Sequence, residues 1–173
     1  MLIRKIEPID GSLLRDLAIR MCSDSPDAYS ETLDEAKQRS SEQWDRRAQW
    51  LAEGAQAVGI VVFEDDKPRG FVMGLEGRFI NGAMDWQYPG TVTMARAWVD
   101  PVYRNKGIGT ALTEAVRDWA GRKGAAYLEA QVTENNGPAK HFYLGLGFAD
   151  TGHREPLLSN PALEIWFLKS PIE

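Results

Sequence analysis

Gly107 and Gly109 bracket Ile108 directly behind Arg104 and Lys106, in the stretch YRNKGIGT. Glycine costs folding entropy, so two of them at a helix start need a reason. The first amides of a helix have no internal acceptor and stand at the positive end of its dipole. Removing two side chains there lets an anion reach the main chain, and Arg104 and Lys106 add formal charge beside it. The chemistry predicted is capture of a phosphate-like group. The spacing fits neither common phosphate loop: residue 112, the third glycine of G-x-G-x-x-G, is Leu, and no G-x-x-x-x-G-K-S/T is present.

The elements around this stretch must deliver it. TVTMARAWVD before it reads as a strand, and Ile108, Leu112, Ala115, Val116 and Trp119 after it fall on one helical face, ended by Gly121 or Gly124. Upstream, LIRKIEP reads as a strand. A helix follows, capped by Asp10 or Ser12, with Leu13, Leu14, Leu17, Ala18 and Met21 on one face. A second helical region covers about 31–53 and breaks near Ser40, where Ser40 and Gln43 form a capping-box pattern. QAVGIVVFED and RGFVMGLEG flank the turn DDKP as a hairpin, and RFINGAMDWQYPG is a long connection. Downstream come a strand (AAYLEAQV), a short helix (GPAKHFYLGL) and a final strand pair (FADTGHRE, LEIWFLK). The order βααβββαβαββ predicts a mixed α/β fold whose sheet is not fully parallel.

A second block, VTENNGPAKHFYLGLGF, makes the assignment specific. VDPVYRNKGIGTAL resembles the acyl-CoA-binding motif of the GNAT superfamily of N-acyltransferases, Arg/Gln-x-x-Gly-x-Gly/Ala, through Arg104, Gly107 and Gly109. The second block is similar to that family's Asn-x-x-Ala-x-x-x-Tyr followed by Gly-Phe, through Asn136, Ala139, Tyr143, Gly147 and Phe148. The motifs cover about residues 94–150. The resemblance implies one domain over 1–173, with a mostly antiparallel sheet of about seven strands and about four helices.

The resemblance also implies roles. Acetyl-CoA is the co-substrate, and an amine is acetylated by direct attack on the thioester. The strand end at Trp98 and Val99 would pair with the pantetheine arm. The amides of Arg104, Asn105, Lys106, Gly107, Ile108, Gly109 and Thr110 would hold the pyrophosphate. Tyr143 would protonate the departing thiolate, and Asn136 would cap its helix and touch the pantetheine. The strand MARAWV has no carboxylate to take the ammonium proton, so Glu129, with Gln131 on the same face, is the candidate base, against an ordinary surface glutamate. An acyl-CoA-sensing module without catalysis is the alternative, and the chain is expected to be a monomer or a homodimer, dimers being common in the family.

Composition excludes other classes. A formal charge of -5 argues against a nucleic-acid grip, and the longest apolar run, residues 58–63, cannot span a bilayer. Charges in MLIRKIEPID argue against a signal peptide, and the lone Cys22 is expected to be a core residue of a cytoplasmic protein. Neither His141 nor His153 has a partner at metal-ligand spacing, so no metal is predicted. Residues 24–45 hold seven acidic side chains against two basic ones. They form either a solvated helix face or a groove wall for a cationic acceptor, with Asp85, Trp86 and Tyr88 opposite.

Overall fold

Asp65 and Asp66 both take positive φ, 51° and 55°, the mirror-turn geometry that matches the twist of a two-residue hairpin. This turn joins β2 (Ala57–Glu64) to β3 (Lys67–Glu76) in a computed structural model that describes residues 1–81, 83–85 and 88–173. Before the hairpin come β1 (Leu2–Lys5), α1 (Gly11–Asp24), a 3-10 turn (Pro26–Ala28), α2 (Leu33–Gln38) and α3 (Ser41–Glu53). After it come β4 (Arg78–Ile80), β5 (Ala83–Asp85), β6 (Thr91–Val99), a 3-10 turn (Pro101–Tyr103), α4 (Ile108–Arg122), β7 (Tyr127–Thr133), α5 (Gly137–Gly145), β8 (Ala149–Leu157) and β9 (Asn160–Pro171).

Seven strands form one sheet in the order β1-β2-β3-β6-β7-β9-β8. Only the β6–β7 pair is parallel. Its two faces bury separate cores. Leu14, Leu17, Met21, Trp44 and Leu51 from α1 and α3 cover one face, and Ile108, Leu112, Val116 and Trp119 from α4 cover the other. The α4 face comes close because β3 presents Gly70, where an added Cβ would lie 2.6 Å from Ile108 Cγ2.

The helical region expected over 31–53 is two helices, broken at Ser40 as the capping box predicts: Gln43 N–H donates to Ser40 Oγ at 3.2 Å. A second box, Thr32 with Glu35, starts α2. Five helices stand where about four were expected. The stretch read as a long connection contains the hairpin β4–β5, whose three-residue strands are too short to show an alternating pattern. Asp10 occupies the N-cap position of α1, but its carboxylate accepts from Arg4 Nη1 at 2.6 Å and Glu7 N–H at 2.8 Å rather than from the helix. Among the described residues no helix is long and apolar enough to cross a membrane.

Candidate active site

The one parallel pair comes apart. β6 and β7 are in register from Thr91/Tyr127 to Met94/Ala130 and no further. Beyond that, β7 stays with β9 as far as Thr133, and β6 stays with β3 as far as Val99. A bulge on β6 opens the gap: Arg96 takes φ 54°, and the β3 register shifts beside it. The result is a cleft of about 110 Å³ lined by Met94, Ala95, Arg96 and Ala97 on one side and Gln131, Val132, Thr133, Asn136 and Tyr143 on the other. Tyr29, Phe79, Asn81, Leu157 and Ile165 complete the lining with Ala28, Ser30 and Ala139.

The strand alternation decides where Val99 points. Asp100 N–H donates to Arg69 O at 2.8 Å, so the next residue back turns its own N–H and C=O away from β3. There the Val99 carbonyl accepts from Arg104 Nε at 3.0 Å. Its N–H points to the side that β7 has left, since β6 and β7 pair no further than Met94/Ala130.

Asp100 then anchors the loop toward α4. It accepts from Arg20 Nη2 and Arg69 Nη1 at 2.8 Å each and from Val102 N–H at 3.2 Å. Burial works to raise its carboxyl, but these hydrogen bonds and charges outweigh it and hold it below the usual range. Asn105 and Gly107 follow in left-handed conformations, φ 60° and 83°. The first bond of the helix runs from Ala111 N–H to Gly107 O at 3.0 Å. The amides of residues 105–110 come before that bond and have no backbone acceptor among the described residues, and those of the first helical turn stand at the positive end of α4.

The two glycines of the motif do different things. A Cβ at Gly107 would meet nothing within 4 Å, so the conformation requires the glycine and the space above it is open. A Cβ at Gly109 would sit 3.1 Å from Phe142 Cζ, so this glycine also lets α5 pack on α4. Lys106 Nζ lies 4.8 Å from the centre of the Tyr103 ring. Arg104 does not extend over the amides; its guanidinium bonds Asp24 on α1 as well as the Val99 carbonyl, tying α1 to the end of β6. Ile108 is a core side chain, and Thr110 is exposed. Unpaired donors, open space and helix dipole fit a diphosphate bound through the main chain.

Asn136 caps α5, its Oδ1 accepting from Ala139 N–H at 3.2 Å, and it also lines the cleft. Tyr143 projects from α5 with 6% of its surface exposed, its ring between those of Phe142 and Phe148 at 5.0 and 5.2 Å. Its hydroxyl has no partner among the described residues. Burial pushes that hydroxyl well above the ordinary phenol value.

Two expected site residues stand elsewhere. Trp98 pairs with Phe71 of β3 and turns its indole into the α1 core, where Nε1 donates to Asp24 at 3.1 Å; it does not line the cleft. Glu129 is neither exposed nor free. It has no exposed surface, and Arg78 of β4 grips both its oxygens, Nε to Oε1 at 3.1 Å and Nη2 to Oε2 at 2.6 Å. Its neighbour Gln131 donates to the Phe79 carbonyl, so β7 holds β4 at two successive inward positions. His141 is exposed, and His153 packs on Phe167 at 4.6 Å, outside the cleft. Trp86 lies outside the described residues, and Tyr88 stacks under Arg78 at 4.1 Å.

Three cleft residues carried no sequence signal. Tyr29, in the turn-like segment, donates its hydroxyl to Ala97 O at 3.2 Å. Asn81 clamps the β4–β5 tip to the β8–β9 turn, donating to Pro156 O at 2.8 Å and accepting from Leu158 N–H at 2.9 Å. Arg96 bonds Glu31, a buried carboxylate that Arg39 also holds at 2.6 Å. Among the described residues no three His, Cys, Asp or Glu side chains are grouped to hold a metal.

Comparison with known proteins agrees with this geometry. A family model described as Acetyltransferase (GNAT) family matches residues 20–148. Streptothricin acetyltransferase of Streptomyces lavendulae is 41% identical over 66 residues, 38% of this chain and 35% of its own length. The chain thus matches about a third of that curated relative. The crystal structure of a GNAT-family acetyltransferase from Streptococcus pneumoniae superposes with a TM-score of 0.79 at 21% identity, covering 99% of both chains. The structure of yncA from Salmonella typhimurium with its cofactor acetyl-CoA superposes with a TM-score of 0.75 at 19% identity, covering 100% of this chain and 94% of the other. With three quarters of its length matched by the family model and its fold shared with these structures, the chain belongs to the GNAT family of acetyltransferases.

Proposed function

We propose that this protein transfers an acetyl group from acetyl-CoA to a primary amine by direct attack in a ternary complex. The observation that carries the proposal is the parting of β6 and β7 after Met94/Ala130, which opens a cleft that Tyr143 lines and leaves the end of β6 at Val99 without β7 as a neighbour. Bound acetyl-CoA supplies the activated acyl group as a thioester. The amides of residues 105–110 bind its diphosphate, and the Val99 main chain orients the acyl end and donates to the carbonyl oxygen as negative charge develops there. Tyr143 gives its proton to the departing sulfur, and Asn136 holds α5 in place for it. Cys22 supports direct attack over an acyl-enzyme. It is buried, its thiol donates to the Glu31 carbonyl at 3.4 Å, and burial pushes its pKa up, so no thiolate nucleophile is on offer there.

The Arg78 grip makes Glu129 a structural clamp rather than a base in this reading. The described lining holds no carboxylate and no histidine. The amine therefore loses its proton to solvent before attack, and kcat/KM climbs with pH toward the amine pKa of about 10.4. Three of the seven acids in 24–45 are engaged within the protein: Asp24 serves Arg104 and Trp98, Glu31 serves Arg39 and Arg96, and Glu35 serves the α2 cap.

The test is thiol release from acetyl-CoA against a panel of amines that includes streptothricin, free amino acids and peptide N-termini. Intersecting initial-rate patterns support direct attack, whereas parallel lines overturn it. Gly109→Glu is expected to weaken CoA binding more than tenfold by calorimetry, since a carboxylate at the amides repels the diphosphate. Gly109→Ala, which only presses on Phe142, separates packing from charge. Equal losses in both variants would move the diphosphate away from these amides.

A further inference from the structure

We propose that the acceptor carries a carboxylate and that Arg96 binds it. This rests on the amine-acetylating reading above and names the acceptor class for that cleft. Arg96 is the only charged side chain among the described residues that line the cleft. It stands at the β6 bulge in the left-handed region, which non-glycine residues rarely adopt, and that backbone geometry aims it. One nitrogen, Nη2, bonds Glu31 Oε2. Nε and Nη1 have no partner among the described residues, and neither is among the buried side-chain atoms cut off from solvent.

The charge behind this wall is unbalanced. Glu31, with 4% of its side chain exposed, faces Arg96, Arg39 at 2.6 Å and Arg47 at 3.9 Å. Three guanidiniums share one carboxylate, so two positive charges remain uncompensated within the cluster. Arg47 registers the excess: burial, and next the charge of Arg96, push its guanidinium down to about 10. Its Nη1 is buried with no hydrogen-bond partner. The rest of the cleft does not offset this charge. Met94, Phe79, Leu157 and Ile165 bring apolar atoms, which screen poorly.

A carboxylate matches the flat fork of a guanidinium with two parallel hydrogen bonds, and it supplies the missing negative charge. An ammonium-rich acceptor would meet the same field as repulsion. An amine joined to a carboxylate through a small apolar body satisfies both ends of the cleft, with the carboxylate at Arg96 and the amine toward Val99.

The probes are matched pairs of amino acid and carboxamide: glycine, β-alanine, leucine and phenylalanine, each with its amide. At least one pair is expected to show kcat/KM more than tenfold higher for the carboxylate. That ratio is expected to fall at least tenfold in Arg96→Gln and to recover in part in Arg96→Lys. Comparing the ratio between parent and variant cancels the lower amine pKa of the amides. Calorimetry on the CoA-bound protein, with N-acetyl-leucine and N-acetyl-phenylalanine against their amides, reads the same contact without turnover. Amides preferred or equal in every pair would overturn the proposal while leaving amine acetylation standing, as would a preference that Arg96→Gln does not change. If no amine is acetylated, the catalytic reading falls, and the binding arm still decides for or against the carboxylate.

Discussion

Tyr143→Phe is expected to lower kcat by about 10²–10⁴-fold, the usual worth of a positioned general acid. Affinity for acetyl-CoA and the melting temperature should change little. The ring contacts with Phe142 and Phe148 survive in the variant. The hydroxyl leaves no buried donor or acceptor behind, because it has no partner among the described residues. Its environment also fixes the pH behaviour. Burial raises the hydroxyl above the ordinary phenol value, so the acid form persists past pH 10 and Tyr143 adds no alkaline fall to the profile. The parent rate should therefore rise with pH as the amine deprotonates. The variant should follow the same curve at a lower level. Steady-state kinetics from pH 6 to 10 with CoA calorimetry checks this. Equal rates for the two proteins would leave Tyr143 a packing residue, and a loss of kcat that tracks a loss of melting temperature would say the same.

The parts of this site that were legible in the sequence are those made by short segments of main chain. Gly107 at φ 83° and the free amides after it belong to one turn, so a local pattern of residue types encodes them. Asn136 capping α5 and the break at Ser40 are local in the same way. What stayed hidden is long-range and carried by side chains. Arg78 and Glu129 lie 51 positions apart, and Arg96 and Glu31 lie 65 apart. No periodicity links such partners. Glu129 misleads for a further reason. It sits on β7, an interior strand with neighbours on both edges, and the chain seals a charge there because β4 brings an arginine over it. That strand was invisible in the first place, since three residues cannot show a period.

Arg78→Ala is expected to destabilise the protein by about 3–5 kcal/mol, the cost of stripping one partner from a buried ion pair. For a chain of this size that corresponds to a fall of roughly 6–20 °C in melting temperature. Glu129 has no exposed surface, and both its oxygens rely on Arg78, so the variant leaves a carboxylate sealed in the sheet without a counter-charge. The loss should extend to function, because β4 supplies Phe79, and the turn after it supplies Asn81, to the lining of the cleft. Replacing both members, Arg78→Met with Glu129→Leu, removes the buried charges together and should restore most of the melting temperature, since apolar side chains of similar volume often match or exceed a buried pair. The same double variant decides what Glu129 does in the reaction. A clamp can be rebuilt from apolar packing, so kcat should return with stability, and the slope of rate against pH should stay as in the parent. A general base cannot be rebuilt from leucine. If the double variant regains its melting temperature but remains without turnover, Glu129 takes the amine proton and its bond to Arg78 must open during catalysis.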